Sequence, residues 1–214
     1  MILTVNKEQK SLYIKNGYYY PKMDSLLSLI WILGKNLSNP LTIMQLAKTA
    51  KVPYATAYRT IEKYKSLFKI IKIGNVKLCS LNLEDKITKH YLMLAERQEA
   101  ELFLKINPEL SILKKELPEG DYSCILFGSR AEQLHRKNSD LDICIINKDG
   151  SKNIKFSNYE LLFKIEINAL YLSKKEFKQM LNEKEHNIVH EIIKKHIILF
   201  NEEYFWNGVF ENGV

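Results

Sequence analysis

The sequence has little of what marks several classes of protein. Among its 214 residues are three cysteines, Cys79, Cys124 and Cys144, and no two of them form a Cys-x-x-Cys pair. This set provides neither a disulfide framework nor a thiolate zinc site, so we expect free thiols in a reducing compartment. Only 8 glycines and 5 prolines are present, which excludes collagen-like and Pro/Gly-rich low-complexity chains.

Long apolar runs are also missing. The longest, residues 26–33, is interrupted by Ser28 and falls well short of the about 18 residues that a membrane-spanning helix requires. Polar residues occupy positions 6–10, where a signal peptide would have its apolar region. We therefore expect a cytoplasmic protein with no membrane partner. What remains is an ordinary globular composition, 46% apolar and 27% charged, with length for one large domain or two small ones.

Positive charge is concentrated in the first part of the chain. Residues 1–85 contain 13 Lys and Arg against 5 Asp and Glu, net +8, whereas residues 86–214 contain 19 against 20, net −1. A basic segment beside a neutral one favours contact with a polyanion through the first segment only. A chain that is simply rich in lysine would not leave its second part neutral.

Two short helices joined by a tight turn are predicted within this basic segment. Asp24 is an expected N-cap for a first helix that ends at Gly34, and a second one-faced helix starts at Thr42. Pro53 suits the first turn of a third helix, with Ala57 and Ile61 on its buried face. This pattern is typical of a helix-turn-helix.

A β-hairpin is predicted directly afterwards. Two extended apolar runs, 68–73 and 76–83, flank Gly74-Asn75, a pair that accepts the positive φ of a two-residue turn. Residues 42–81 as a whole resemble the winged-helix DNA-binding domains of prokaryotic and archaeal regulators. The resemblance implies binding of double-stranded DNA through residues 42–77, with Pro53 to Lys65 as the recognition helix and the hairpin as the wing. The implied DNA-binding residues are Lys51, Tyr54, Thr56, Tyr58, Arg59, Lys63, Lys72 and Lys77. A winged helix that binds protein is the alternative.

A long helix is predicted to follow the hairpin. From Lys86 to about Asn107, apolar residues recur on one stripe that includes Ile87, Tyr91 and Leu94. A second short helix, 109–117, ends before Pro118-Glu119-Gly120. Such a connector is either a rigid strut or the seam of a homodimer.

The C-terminal part contains the sequence patterns that indicate a functional site. Residues 122–127 form a short apolar strand, and Gly128-Ser129 closes it before a helix start. A glycine at such a turn lets the backbone approach a phosphate, and the following amides point toward it.

Two aspartates follow at strand spacing. Asp140 and Asp142 are predicted to project from one face while Leu141 and Ile143 enter a core. Adjacent carboxylates repel each other unless a cation bridges them, and hard oxygen ligands beside a phosphate site favour Mg²⁺. Two solvent-facing aspartates at a strand start are the alternative.

The combination Gly128-Ser129 with Asp140-x-Asp142 resembles the nucleotidyltransferase superfamily that includes DNA polymerase β, over about residues 118–206. The resemblance implies transfer of a nucleotidyl group from a nucleoside triphosphate to a hydroxyl with two Mg²⁺ ions. It implies that the nucleotide contacts Gly128, Ser129, Arg130 and Ser139.

A third carboxylate on a later strand completes the metal site of that superfamily. No aspartate occurs after Asp149, so a glutamate must take this place. Glu166 is the candidate because residues 161–171 alternate as a strand with Glu166 and Asn168 outward; Glu160 and Glu176 are alternatives. The implied catalytic and metal-binding set is Asp140, Asp142 and Glu166. His186 and His190, spaced i and i+4, are a competing zinc pattern but lack the adjacent glutamate of a zinc protease.

Together these patterns predict an α+β fold. We expect a winged helix-turn-helix domain over residues 1–85, a helical connector over 86–117, and a nucleotidyltransferase-fold mixed sheet flanked by helices over 118–214. The first hypothesis is a Mg²⁺-dependent nucleotidyltransferase, with a protein, a small molecule or a nucleic-acid end as acceptor; an antitoxin-type enzyme is one version. The second is a DNA-binding regulator whose C-terminal domain only binds nucleotide, and the third is a protein-protein adaptor.

Overall fold

The computed structural model describes residues 12–15, 18–21, 23–132 and 139–210. The N-terminal elements are, in chain order, β1 (Leu12–Lys15), β2 (Tyr18–Pro21), α1 (Ser25–Gly34), β3 (Leu41–Thr42), α2 (Ile43–Thr49), α3 (Tyr54–Lys63), β4 (Phe68–Ile73) and β5 (Val76–Leu81). Strands β1 and β2 pair antiparallel, and a second antiparallel sheet has the order β3-β5-β4. Within the described ranges, no helix is both long enough and apolar enough to cross a membrane.

Local signals in the sequence explain where these helices start. The Asp24 side chain accepts a hydrogen bond from the Leu26 amide (2.8 Å), which caps α1 as predicted. Thr42 and Gln45 form a capping box at the start of α2. The predicted hairpin is confirmed, with Gly74 at φ +59° in its turn, although β5 ends at Leu81 rather than at residue 83.

Two helices follow, α4 (Lys86–Ile106) and α5 (Pro108–Glu116), as predicted. The predicted apolar stripe of α4 is only partly right. Ile87 and Leu94 are 57% and 50% exposed, whereas Leu92, Ala95 and Glu96 are buried. The helix is covered on more than one side, by α1 and by C-terminal elements, so a single stripe does not describe its buried surface.

The C-terminal elements surround a mixed sheet. They are β6 (Ser123–Phe127), α6 (Gly128–Ala131), β7 (Leu141–Asn147), α7 (Ser157–Phe163), β8 (Ile167–Ser173), α8 (Lys174–Asn182), α9 (Ile188–Lys194), β9 (His196–Phe200) and α10 (Glu202–Phe210). The strand order is β8-β7-β6-β9, with β7 and β8 parallel and the other pairs antiparallel. The predicted α+β class and mixed sheet with flanking helices are confirmed.

One strand prediction fails at its start. Residues 161–163 belong to α7, which ends with Lys164 in the left-handed conformation (φ 54°), and β8 begins only at Ile167. The exposed leucines of α7 mimic the pattern of a strand because the helix packs on the protein mainly through Tyr159. From Lys164 onward the predicted alternation holds, since Glu166 and Asn168 are exposed and their neighbours are partly buried.

The two parts of the chain share a core. One buried cluster contains Leu29 and Ile30 of α1, Leu92 of α4, and Phe205 and Trp206 of α10. A second cluster lies between the sheet and the end of α4 with α5. All three cysteines are buried and free, as expected, and burial raises the pKa of the Cys79 thiol to about 12.

A polar cluster is buried within the shared core and consists of Lys35, Glu96 and His196. Glu96 of α4 accepts a hydrogen bond from the Trp31 indole (3.2 Å) and lies 3.2 Å from His196 Nε2. The Lys35 ammonium lies 3.8 Å from Glu96 and donates to the His196 carbonyl (2.9 Å). Burial opposes ionisation of Glu96, but Lys35, His196 and these hydrogen bonds together lower its pKa. Glu96 therefore joins α1 to β9 as a buried anion.

Candidate active site and basic surface

Gly128 lies at the junction of β6 and α6 and faces Asp142. Its φ of +69° favours glycine. A Cβ at this position would overlap Asp142 Oδ2 and would lie 3.1 Å from Asp142 Cγ. Gly128 is therefore required both by its backbone angle and by the approach of the Asp142 carboxylate. Ser129 is exposed beside it, on an α6 of only four residues.

Asp140 and Asp142 lie at the N-terminal end of β7. Asp140 is exposed one residue before the strand, and Asp142 is half-buried as its second residue. Leu141 and Ile143 are fully buried. This alternation places the two carboxylates on the sheet face opposite to Leu141 and Ile143, as predicted.

Asp142 has a neighbour on each side in the sheet. It pairs with Phe127 of β6 and with Asn168 of β8. The Asn168 amide donates to Asp142 Oδ1 at 3.5 Å, at the far end of hydrogen-bonding distance. The sequence alternation marked Asn168 as outward, but its place beside Asp142 follows from the strand register and was missed.

Glu166 lies one residue before β8, as Asp140 lies one residue before β7. The Glu166 carbonyl accepts from the Leu141 amide (2.9 Å) within the Leu141–Ile167 pair, and its side chain is exposed. The two alternatives have local roles instead. Glu160 accepts from the Ile167 amide (3.0 Å), and Glu176 forms a capping box with Ser173 that lowers the pKa of its carboxyl group.

No three side chains of His, Cys, Asp or Glu come together as a possible metal cluster in residues 23–132 and 139–210. The histidines of the zinc pattern have other contacts. His186 Nε2 contacts Glu191 Oε1, and His190 takes part in the cap of α9 through Asn187. The aspartate pair with its Gly128 loop is therefore the better candidate for a cation site.

Arg130 turns inward. Its Nε and one terminal nitrogen donate to the Ser139 carbonyl at 3.0 and 2.6 Å, and its guanidinium lies 3.8 Å from Glu109 of α5. Arg130 is 4% exposed. Two residues predicted to bind nucleotide thus contact each other, and this contact fixes the residue directly before Asp140.

The predicted DNA-binding residues lie on α3, in the turn before it and on the hairpin. Ala57 and Ile61 are buried as predicted, while Tyr54 and Tyr58 are exposed with ring centroids 6.4 Å apart. The other predicted contacts are exposed, except for half-buried Thr56: Lys51, Arg59, Lys63, Lys72 and Lys77. Lys72 and Lys77 are directly opposite in the β4–β5 register. Like charges in this arrangement destabilise a hairpin unless an anion lies nearby.

A comparison with protein families gives a match in the C-terminal part of the chain. Residues 112–204 match the family described as Polymerase beta, Nucleotidyltransferase. Neither a search of curated proteins nor a search of solved structures found a match. The matched range contains α6, β7 and β8, with the Gly128 loop and both aspartates. The chain is therefore similar over these residues to the polymerase β nucleotidyltransferases, in agreement with the resemblance carried by Gly128, Ser129, Asp140 and Asp142.

Proposed function

We propose that the protein is a Mg²⁺-dependent nucleotidyltransferase that transfers a nucleoside monophosphate from a nucleoside triphosphate to a hydroxyl acceptor. The observation that carries the proposal is the close approach of the Asp142 carboxylate to the Gly128 loop, within a region similar to nucleotidyltransferases. A carboxylate directly beside a phosphate-binding turn repels the phosphate unless a cation lies between them.

The residues present suit a hard divalent cation. Asp140 and Asp142 offer carboxylate oxygens from one face, and Glu166 follows at the neighbouring register position. These three residues would hold Mg²⁺. When bound, two Mg²⁺ ions would neutralise the departing pyrophosphate and lower the pKa of the acceptor hydroxyl.

The chain itself supplies positioning. Gly128 and Ser129 would bind the triphosphate through the backbone and the hydroxyl. Arg130 holds Ser139 in place through the Ser139 carbonyl, so it would position the residue directly before Asp140. Glu166 would support the ion at the acceptor side and take the proton of the attacking hydroxyl.

Calorimetry with each of the four ribonucleoside triphosphates tests this proposal. We expect binding that requires Mg²⁺ and disappears in the Asp140→Asn, Asp142→Asn double variant. Exposed Asp121 and Asp149 provide a matched control, since their double Asn variant removes the same charge elsewhere. Binding that persists in the first variant, or no binding by the unaltered protein at millimolar nucleotide, would contradict the proposal.

A protein acceptor is favoured by one feature. α7, which leads into β8, exposes Leu161 and Leu162 by 80% and 64%, and exposed neighbouring leucines are typical of a protein contact. We therefore include an antitoxin-type role, in which a partner protein receives the nucleotidyl group. Labelled nucleotide should then appear on a protein in lysate, and Leu161→Ser with Leu162→Ser should reduce the labelling without affecting nucleotide binding.

DNA binding is the second part of the proposal. Three helices followed by a basic hairpin suit a winged helix, with α3 in the major groove and the hairpin on the backbone. The opposed Lys72 and Lys77 support it. A mobility-shift assay across salt concentrations should show an affinity that falls steeply with salt. A regulator that binds nucleotide without transfer is the alternative, favoured by the lack of a three-acid cluster in the described residues; a homodimer would suit either.

A further inference from the structure

The face of the sheet that carries the aspartates has two levels. At the inner level Asp142 pairs with Asn168, and at the outer level Asp140 and Glu166 directly precede the first pair, Leu141 and Ile167. Paired residues of parallel strands point to the same face. Three acidic residues and one asparagine therefore occupy these four positions, and among them the side chains of Asn168 and Asp142 are in contact.

The inner level is the more constrained. Gly128 leaves no room for a Cβ near Asp142 Oδ2, and the Asn168 amide approaches Asp142 Oδ1 from the other side. Both oxygens of one carboxylate thus have a defined neighbour. Glu166, by contrast, is exposed and lies outside the regular strand.

We propose that Asn168 is a positioning residue that orients the Asp142 carboxylate for cation binding. It also places an uncharged group, rather than a second carboxylate, beside Asp142. This inference rests on the proposed function and deepens it. The Asn168 amide restricts the Asp142 carboxylate to the orientation in which one oxygen faces the Gly128 loop. Because an amide carries no charge, it also keeps the inner level at one negative charge, where an acid would give two.

A neutral group at this position lowers the attraction for cations. A second carboxylate beside Asp142 would strengthen cation binding, whereas loss of the amide would leave Asp142 free to change rotamer. The two substitutions at Asn168 should therefore act in opposite directions on the same measured affinity. A purely structural role would instead make both variants weaker.

The test is Mn²⁺ binding by the full chain without nucleotide, measured from the electron paramagnetic resonance signal of free Mn²⁺. We expect Asn168→Asp to tighten binding at least tenfold and Asn168→Ala to weaken it about threefold or more. Asn207→Asp, the same change at an exposed position of α10, should leave the affinity unchanged. Melting with and without Mn²⁺ shows whether each variant folds, and Asn168→Asp should gain the larger Mn²⁺-dependent increase in Tm.

The outcomes separate this inference from the proposed function. If the unaltered protein binds Mn²⁺ through Asp142 but both Asn168 variants stay within twofold of it, the inference is wrong and the function stands. If Glu166→Gln abolishes binding while Asn168→Ala does not change it, Glu166 is the residue that matters and the inference is again wrong. If Asp142→Asn does not affect Mn²⁺ binding, the site itself is wrong and both proposals fall.

Discussion

The two parts of the chain offer opposite charges to the same kind of chemical group. The surface of α3 and the β4–β5 hairpin presents lysines and an arginine, while the sheet face beside Gly128 presents Asp140, Asp142 and Glu166. Phosphate is the expected ligand of both. A cationic surface binds phosphate directly, whereas a carboxylate site needs a divalent cation as an intermediary. Mg²⁺ should therefore have opposite effects on the two, competing at the first and being required at the second.

The largest expected effect is on nucleotidyl transfer. The Asp140→Asn, Asp142→Asn variant should reduce transfer at least about a thousandfold, since both carboxylates proposed to bind the metal are lost. Its affinity for duplex DNA should stay within twofold, as the basic surface is untouched. Labelled nucleotide incorporation and a mobility shift on the same preparation measure the two. Equal loss of both activities would show that the two parts do not act separately.

Substitution of Glu96 tests whether the N-terminal and C-terminal parts of the chain unfold together. Glu96→Ala leaves buried Lys35 without its counter-charge and His196 without its hydrogen-bond partner, which we expect to lower the free energy of unfolding by about 3–5 kcal/mol. Urea unfolding followed by circular dichroism should give one transition, because α1, α4 and α10 share a core. Glu96→Gln keeps the volume and should cost less. A change under about 1 kcal/mol, or two transitions, would mean that the halves fold independently.

Gly128→Ala should weaken Mg²⁺-nucleotide binding at least tenfold. The added Cβ must displace the Asp142 carboxylate, and the positive φ costs about 1–2 kcal/mol in addition. Gly74→Ala is the matched control because it has φ +59° but open space around its Cβ. It should lose similar stability and keep nucleotide affinity. Equal nucleotide affinities for the two variants would show that the clash of the added Cβ with Asp142 does not weaken binding.

Lys72→Gln with Lys77→Gln should weaken DNA binding severalfold. If both lysines contact phosphates, the slope of log affinity against log salt should fall by about 2. Thermal stability should not fall, because the lysines face each other across the hairpin. Lys184→Gln, an exposed change in the C-terminal part, should leave the slope unchanged. A lower affinity with the same slope would indicate a changed conformation of the hairpin rather than the loss of phosphate contacts.

The smallest expected effect is on the pH dependence of stability. Burial, and next the neighbouring Lys35, lower the pKa of His196 below its usual 6.5, although Glu96 opposes the shift. The unfolded chain therefore takes up a proton that the folded chain resists, and stability is complete above pH 6.5 and declines as the pH falls below it. His196→Gln should flatten this decline between pH 7 and 5 in urea titrations. An unchanged pH profile would place the titration elsewhere.

Local signals in the sequence were sufficient for much of the fold. Asp24, Thr42 and Gly74-Asn75 set the ends of helices and the hairpin turn through bonds and angles that involve only near neighbours. Gly128-Ser129 and Asp140-x-Asp142 were each recognised from a local pattern, and their combination from the resemblance to a family. Each pattern depends on a few consecutive residues, so a single sequence is enough to find it, whereas the contact of Gly128 with Asp142 depends on the pairing of β6 with β7.

Features that depend on register or on packing between distant segments could not be predicted. Asn168 is next to Asp142 only because β8 begins at Ile167 after a left-handed residue at Lys164, and the alternation pattern gives the face but not the register. Glu96 has the sequence context of a surface residue. Its burial arises because α1 and β9, far apart in the chain, meet on two sides of α4.

His196 connects the end of α1 with the strand that precedes Gly128. Its carbonyl accepts from Lys35 at the end of α1, and in the sheet it pairs with Phe127, the residue directly before Gly128. One side chain and one residue pair of the sheet therefore connect α1 with the residue before Gly128 through the interior of the protein. If the basic surface binds DNA and the Gly128 turn binds nucleotide, as proposed, we expect a ligand that displaces α1 to change the affinity for nucleotide.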